Sequence, residues 1–320
     1  MLLFPIMRRD PNKLVYDKAR EKGVMFFSSS SVQDCRYLLE SSIYEILVSI
    51  FYLRKNPSFY EAEFFPELKS KGGLFMIDSG GHTYLDMFYR NTATPEMFKE
   101  EFWTPKIEEY VEYLDSHSDS IFSAANYDMD FFVGRGIVDK WNDKYFKPLE
   151  KKMNIVYVIH ESYRPEENDP LGYDQIEYYC KNHKYVGASG TRHFVENARR
   201  LYLAANYYGT RIHGFGWTSL PTLKTFPFFS VDSTTWLGGV RYGTSYRYDG
   251  KNFRVTPYYK KYLRKVDKLL CLENGVDYEA LLRDEREAVN MYNLIGWKGA
   301  RKEYLRYCSR LRTKNVIHYC

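Results

Sequence analysis

The sequence predicts a (β/α)₈ TIM barrel with a helical C-terminal extension. Three observations carry this. Eight short apolar runs rich in β-branched and aromatic residues recur along the chain, helical or loop-like sequence separates most of them, and the eight repeats occupy about 210 residues. Strand and helix in strict alternation build a parallel sheet, and eight units are enough to close it. The 320 residues are 44% hydrophobic and 18% aromatic, ample for one large core.

The eight runs are Val24–Ser28, Glu45–Ile50, Leu74–Asp78, Ile121–Ala125, Ile155–His160, Tyr185–Ala188, Arg211–Phe215 and Phe228–Asp232. Each is short, β-branched or aromatic, and bounded by polar or turn-forming residues. Between them, helical patterns cover Val32–Glu40, His82–Tyr89, Pro95–His117, Lys140–Lys152, Tyr173–Asn182, Thr191–Tyr208 and Leu220–Phe226. After Gly250 the alternation stops. Thr256-Pro257 has the form of an N-cap followed by proline at the first helical position, so Tyr258–Leu272 reads as a basic amphipathic helix. Asp277 caps a second helix through Asn290, and Trp297–Leu311 forms a third. The expected organisation is a barrel over residues 1–250 and a basic helical extension over 251–320, packed on the barrel.

The net charge of +5 is unevenly spread. Residues 251–320 hold 16 lysines and arginines against 8 acidic residues, whereas the first 250 hold 30 against 33. Such segregation fits a polyanionic partner, and it equally fits a solvated helical face rich in lysine. Tyr258, Tyr259 and Tyr262 interleave with Lys260, Lys261, Arg264, Lys265 and Lys268, a mixture suited to phosphates and unstacked bases. With 31 tyrosines in the chain, such interleaving also arises by chance.

No run of 18 apolar residues is present, and Met1-Leu-Leu-Phe-Pro-Ile-Met-Arg-Arg lacks the order of a signal peptide. A cytoplasmic protein without membrane contact is expected. Cys35, Cys180, Cys271, Cys308 and Cys320 are scattered, odd in number and free of any Cys-x-x-Cys pair, which points to reduced thiols. Cys308, His318 and Cys320 lie close in sequence, but their spacing is poor for zinc, so no metal is expected.

In parallel barrels the active site lies at the C-terminal ends of the strands. The runs here end on polar residues: Asp78-Ser79-Gly80-Gly81, Asn126-Tyr127-Asp128-Met129-Asp130, His160-Glu161 and Asp232-Ser233-Thr234. One aspartate after a strand is ordinarily a helix cap, but several at corresponding ends form a constellation. Two facing carboxylates can serve substitution at an anomeric carbon, one attacking and the other handling the proton of the leaving group. Asp78 and Asp232 are the pair. Gly80, with Gly187 and Ala188 in Gly187-Ala188-Ser189-Gly190, would let the backbone approach a flat base.

The segment Ile77-Asp78-Ser79-Gly80-Gly81 resembles the Asp-Ser-Gly-Gly signature of queuine and archaeosine tRNA-guanine transglycosylases. Phe229-Ser230-Val231-Asp232-Ser233-Thr234 is similar to the strand that presents their nucleophile, and Arg241-Tyr242-Gly243-Thr244-Ser245, with Gly250-Lys251, to the stretch that follows. His213-Gly214-Phe215-Gly216 is similar to their Gly-x-Gly strand end. The motifs keep the family order from about residue 23 to 251. The resemblance implies that Asp232 attacks C1′ and that Asp78 acts as acid and base. It places Ser79, Gly80, Asp128, His160, Gly187, Ala188, Gly214 and Arg241 around the base.

The departures are as informative. The family's Gln-Gly after the fifth strand is Ile159-His160-Glu161 here, its Phe-Asp-Glu is at best Asn126-Tyr127-Asp128, and its zinc signature is missing. With Glu45-Ile46-Leu47-Val48-Ser49 followed by Phe51-Tyr52-Leu53-Arg54-Lys55, they resemble the DpdA-like DNA 7-deazaguanine transglycosylases of phages and bacteria. That branch implies exchange of guanine for a 7-deazaguanine in DNA, a host-cell cytoplasmic location, and no cofactor. DNA is thus favoured over tRNA as partner, the small-molecule substrate is the 7-deazaguanine, and a homodimer stays open. Lys260, Lys261, Arg264 and Lys265 are the expected nucleic-acid contacts. The alternatives are the same exchange on tRNA, a nucleic-acid-binding barrel without catalysis, and a glycosidase or nucleosidase using the same carboxylates.

Overall fold

The computed structural model describes residues 23–160, 173–189, 194–217, 219–239, 244–248, 253–257 and 265–313. Eight parallel strands close into a barrel in sequence order: β1 (Val24–Ser29), β2 (Glu45–Ser49), β3 (Leu74–Asp78), β4 (Ser123–Ala125), β5 (Asn154–Ile159), β6 (Tyr185–Ser189), β7 (Arg211–Phe215) and β8 (Ser230–Ser233). The seam between first and last strand is sealed by parallel pairing of Val24 with Ser230 and Phe26 with Asp232. All eight predicted strands are present, most within a residue or two of the expected ends.

The lumen is filled by Val24, Phe26, Leu47, Met76, Phe122, Val156, Tyr185 and Phe229. A larger apolar layer lies between the strands and the surrounding helices. Both strand faces are therefore covered, which is why these runs read as almost continuously apolar. The helices Val32–Glu40, Gly81–Tyr89, Glu100–Ser116, Tyr173–Asn182 and Phe194–Tyr208 follow their strands as expected. Ser31 caps the first of these through its side chain, which accepts from the Asp34 amide.

Between β2 and β3, where no helix was expected, the chain forms Ile50–Leu53 and a helical stretch over Pro57–Ser70 with a π-helical turn at Tyr60–Phe64. Pro57 opens this stretch, where a missing N–H costs nothing, and Pro66 follows just after the π-helical turn.

The region after β8 differs most from expectation. Thr256-Pro257 does not start a helix: it ends β10 (Phe253–Pro257), which pairs antiparallel with β9 (Thr244–Tyr248). The hairpin spans the expected boundary at residue 250. A helix then begins at Lys265, and Asp277 caps Tyr278–Leu282 as expected, its carboxylate accepting from the Glu279 and Ala280 amides. The helices expected to end at Asn290 and to start at Trp297 are one helix, Arg286–Thr313.

That long helix belongs to the outer layer of the barrel. Trp297 packs edge-on against Phe27 of β1, Arg301 pairs with Glu45 of β2, and the Tyr304 hydroxyl donates to the Phe228 carbonyl. Buried Asp267 accepts from the Tyr292 hydroxyl and pairs with Arg247, tying helix, hairpin and long helix together. Cys35, Cys180, Cys271 and Cys308 are free, buried thiols. Among the described residues, no helix is long and apolar enough to cross a membrane.

Candidate active site

The alternation of the strands sets the site. Phe26 and Met76 fill the lumen, and two residues later the same faces carry Ser28 and Asp78 at the C-terminal mouth. Asp232 ends the inward face of β8 in the same way, two residues after Ser230.

Asp232 is buried, and three donors converge on its carboxylate. The Ser28 hydroxyl donates to Oδ2 at 2.5 Å, the Gly216 amide donates to Oδ1 at 3.1 Å, and His213 Nε2 lies 3.3 Å from Oδ1. An ionised carboxylate has lone pairs for all three and one to spare on Oδ2. Below it, His213 Nδ1 is 2.6 Å from Ser230 Oγ, which in turn bonds the Tyr185 hydroxyl. Burial pushes the Tyr185 phenol up, so it remains a donor.

Asp78 lies half-buried across the mouth. Burial raises its carboxyl from the ordinary 3.8 to about 7, the charges of Asp128 and Asp232 adding to the effect and the Gly80 amide and His160 working against it. Asp128, Asp232 and His160 thus all lie near enough to act on the Asp78 carboxyl.

The Asp-Ser-Gly-Gly turn has a separate task for each residue. Gly80 has φ = 86°, a left-handed conformation that places its amide 3.0 Å from Asp78 Oδ2. The Ser79 hydroxyl donates to Asp128 Oδ1 and accepts from the Gly81 amide. A Cβ on Gly81 would lie 2.8 Å from Asp128 Oδ1, so only glycine lets that carboxylate come in. Asp128 itself is set by the segment before it. Asn126 accepts from the Val158 amide and donates to Asn142, while Tyr110 holds the Ala125 carbonyl.

His160 was expected to read a base. The structure instead places Nε2 at 3.2 Å from Asp128 Oδ2 and Nδ1 at 2.7 Å from Asp130 Oδ1. Burial opposes a charged ring, but the charges of Asp130 and Asp128 outweigh it and hold His160 well above its ordinary value. Both ring nitrogens therefore donate, and neither is left for a base. Asp130 is the second arm of this clamp. Ser79 is likewise committed to Asp128, which makes it a support for the site.

Three further expectations are corrected. Gly187 faces the lumen, but a Cβ there would stand 2.5 Å from Phe215 Cε2 and 2.8 Å from Val156 Cγ1, so its space is taken by the protein's own side chains. Gly187→Ala is expected to destabilise the fold by about 1–3 kcal/mol through overpacking, measurable by urea denaturation; an unchanged midpoint would show that Phe215 yields freely. Ala188 packs in the outer layer, and its Cα pairs with those of Ile159 and Gly214. Gly214 also faces outward, where a Cβ would meet Trp217 Cβ and Phe228 Cδ2 at 2.8 Å. The neighbouring residue that enters the site is His213, which sequence reasoning quoted within a motif and passed over. The period-2 alternation, run back from the inward Phe215, was the signal that could have found it. Ser28 was missed as well, because its partner is 204 residues away.

Arg241, Lys260, Lys261 and Arg264 lie outside the described residues, as do His318 and Cys320; Lys265 opens a helix, and its side chain is not described. Among the described residues, no group of three or more histidine, cysteine or acidic side chains is arranged to hold a metal ion.

No protein-family model and no curated protein matches the chain. Among solved structures, a putative phosphonomutase from Burkholderia cenocepacia J2315 is 8% identical, with a TM-score of 0.44 over 68% of this chain and 88% of that one. An HpcH/HpaI aldolase from Desulfitobacterium hafniense DCB-2 is 10% identical, with a TM-score of 0.40 over the same shares.

Proposed function

We propose that the chain is a base-exchanging transglycosylase acting on guanine in a nucleic acid, DNA before tRNA. One observation carries the reading: two carboxylates of unlike environment share the barrel mouth, Asp232 under three donors and Asp78 raised to about 7. Pairs of acids whose environments divide them in this way divide the chemical roles as well.

In this mechanism the target nucleotide leaves its stack, because C1′ is otherwise out of reach of a carboxylate at the end of a barrel strand. Asp232 Oδ2, which among the described residues accepts from Ser28 alone, bonds to C1′ as the bond to guanine breaks. Asp78, protonated near neutral pH, gives its proton to the departing base. A 7-deazaguanine then enters, loses a proton to Asp78 and attacks C1′, and the electron pair of the C1′–Oδ2 bond returns to Asp232. One glycosidic bond replaces another, so the balance needs no oxidant and no nucleotide triphosphate. Asp128, braced by Ser79 and His160, keeps lone pairs that face the base.

The test is mass spectrometry of nucleosides after incubating the enzyme and the 7-deazaguanine preQ0 with single-stranded DNA, duplex DNA and tRNA. The expected product is a 7-deazaguanine nucleoside in DNA, formed fastest where guanine is unpaired, because extrusion then costs least. Incorporation into tRNA alone overturns the choice of DNA. Release of guanine without incorporation points to a hydrolase using the same two acids, and no reaction with any of the three overturns the transglycosylase.

A further inference from the structure

His213 has no part in the mechanism as set out so far, yet it is a fully buried polar group in the lumen. The ring is fully buried, with Phe215, Phe26 and Tyr185 around it at centroid distances of 4.3, 6.1 and 6.5 Å. A polar ring in such surroundings is costly unless both nitrogens are paired. Both are. A carboxylate oxygen only accepts, so Nε2 carries the proton, directed at Asp232 Oδ1; Nδ1 is then left to accept from the Ser230 hydroxyl, whose own oxygen can accept from Tyr185. A leucine or phenylalanine could fill the same space without these partners.

The order of the groups also matters. A serine, a histidine and an aspartate lie in one hydrogen-bonded line, but Ser230 is sealed at the bottom and Asp232 is at the mouth. The carboxylate is therefore the reacting end, and the serine is an anchor. Among the described residues, Oδ1 takes both the Gly216 amide and His213, whereas Oδ2 takes Ser28 alone.

We propose that His213 is a positioning residue that acts through Asp232: it fixes Oδ1, leaves Oδ2 to attack, and stabilises the charge that returns to the carboxylate when the covalent intermediate breaks down. The proposal rests on Asp232 being the nucleophile of the reading above. Its chemistry is specific. While Oδ2 is esterified to C1′, Oδ1 is a carbonyl oxygen and the His213 bond is weak. As the incoming base nitrogen bonds to C1′, the C1′–Oδ2 bond breaks, its electron pair spreads over both oxygens, and the Nε2–H···Oδ1 bond strengthens. The donor therefore assists the second half-reaction more than the first.

The experiment compares His213→Leu, which keeps bulk without a donor, with His213→Gln, whose amide nitrogen can stand near the position of Nε2. For His213→Leu, kcat for preQ0 incorporation is expected to fall about 10- to 100-fold with KM within about threefold. The fraction of enzyme trapped as a covalent adduct on a denaturing gel should rise. His213→Gln should recover most of the rate. Equal losses in both variants, in step with a lowered Tm, would make the ring a packing element and overturn the proposal, as would a fall in adduct with His213→Leu.

A second measurement does not depend on turnover. In ¹⁵N-histidine-labelled wild-type protein, His213 is expected as the Nε2–H tautomer, with a mixed population in Ser230→Ala. The opposite tautomer in wild type overturns the arrangement even if exchange occurs. The expected tautomer in an enzyme that exchanges no base would count against the transglycosylase reading and leave the contact in place.

Discussion

Asp232→Ala and Asp232→Asn are expected to fold and to form no covalent adduct with nucleic acid. Without the nucleophile the exchange rate should drop by about 10³-fold or more. The check is guanine exchange with labelled base, alongside adduct trapping on a denaturing gel. Rates near wild type in either variant would remove Asp232 from the mechanism. The electrostatics supply a second readout in the same proteins. The Asp232 charge is one of the influences raising Asp78, so its removal should lower the Asp78 titration below about 7. Stability should suffer modestly, because Ser28, the Gly216 amide and His213 lose a shared acceptor, a loss of about 1–3 kcal/mol.

Asp78→Asn is expected to bind nucleic acid and to lose base exchange by about 10²- to 10⁴-fold, since asparagine keeps the shape and cannot move the proton. A loss of less than about tenfold, or ~1.4 kcal/mol in barrier, would demote Asp78 to a structural cap. The same substitution should stabilise the protein in alkaline solution. In the folded chain the Asp78 carboxyl holds its proton to about 7, whereas an ordinary aspartate releases it near 3.8. Between these values the folded state binds the additional proton, so stability falls as pH rises, and the penalty is complete above about 7. With the group partly open to solvent at the barrel mouth, the penalty is about 2 kcal/mol. Thermal unfolding should therefore show Asp78→Asn more stable than wild type at pH 8 and nearly equal to it at pH 3. Equal curves at both would mean that Asp78 titrates as an ordinary carboxyl. Activity and stability oppose each other at this residue, as they do where an acid is kept out of water for catalysis.

Much of the fold is local in origin, and that part was legible. Strands such as Leu74–Asp78 and Arg211–Phe215 carry their own limits, because apolar β-branched and aromatic residues run until a polar residue or a glycine ends them. Asp277 shows itself as a cap through chemistry within three residues. The hairpin of β9 and β10 did not show itself. Thr256-Pro257 satisfies a helix-start pattern and a strand end equally well, and the pairing of Arg254 with Arg247 and of Val255 with Tyr246 decided between them. The long helix Arg286–Thr313 is likewise fixed by what it covers on β1 and β2, which no stretch of its own sequence encodes.

By itself the sequence determined the barrel and singled out Asp78, Asp128 and Asp232 as acids at the C-terminal ends of its strands, because strand periodicity and strand-end chemistry are properties of neighbouring residues. Tertiary structure alone decided what surrounds each acid. Closure of β8 onto β1 brings Ser28 to Asp232, the phase of β7 turns His213 inward and Gly214 outward, and the end of β5 sets His160 between two carboxylates. The physical reason is that a carboxyl group takes its charge state from burial and from partners within a few ångströms. Those partners come from strands distant in sequence, and only closure of the barrel brings them together.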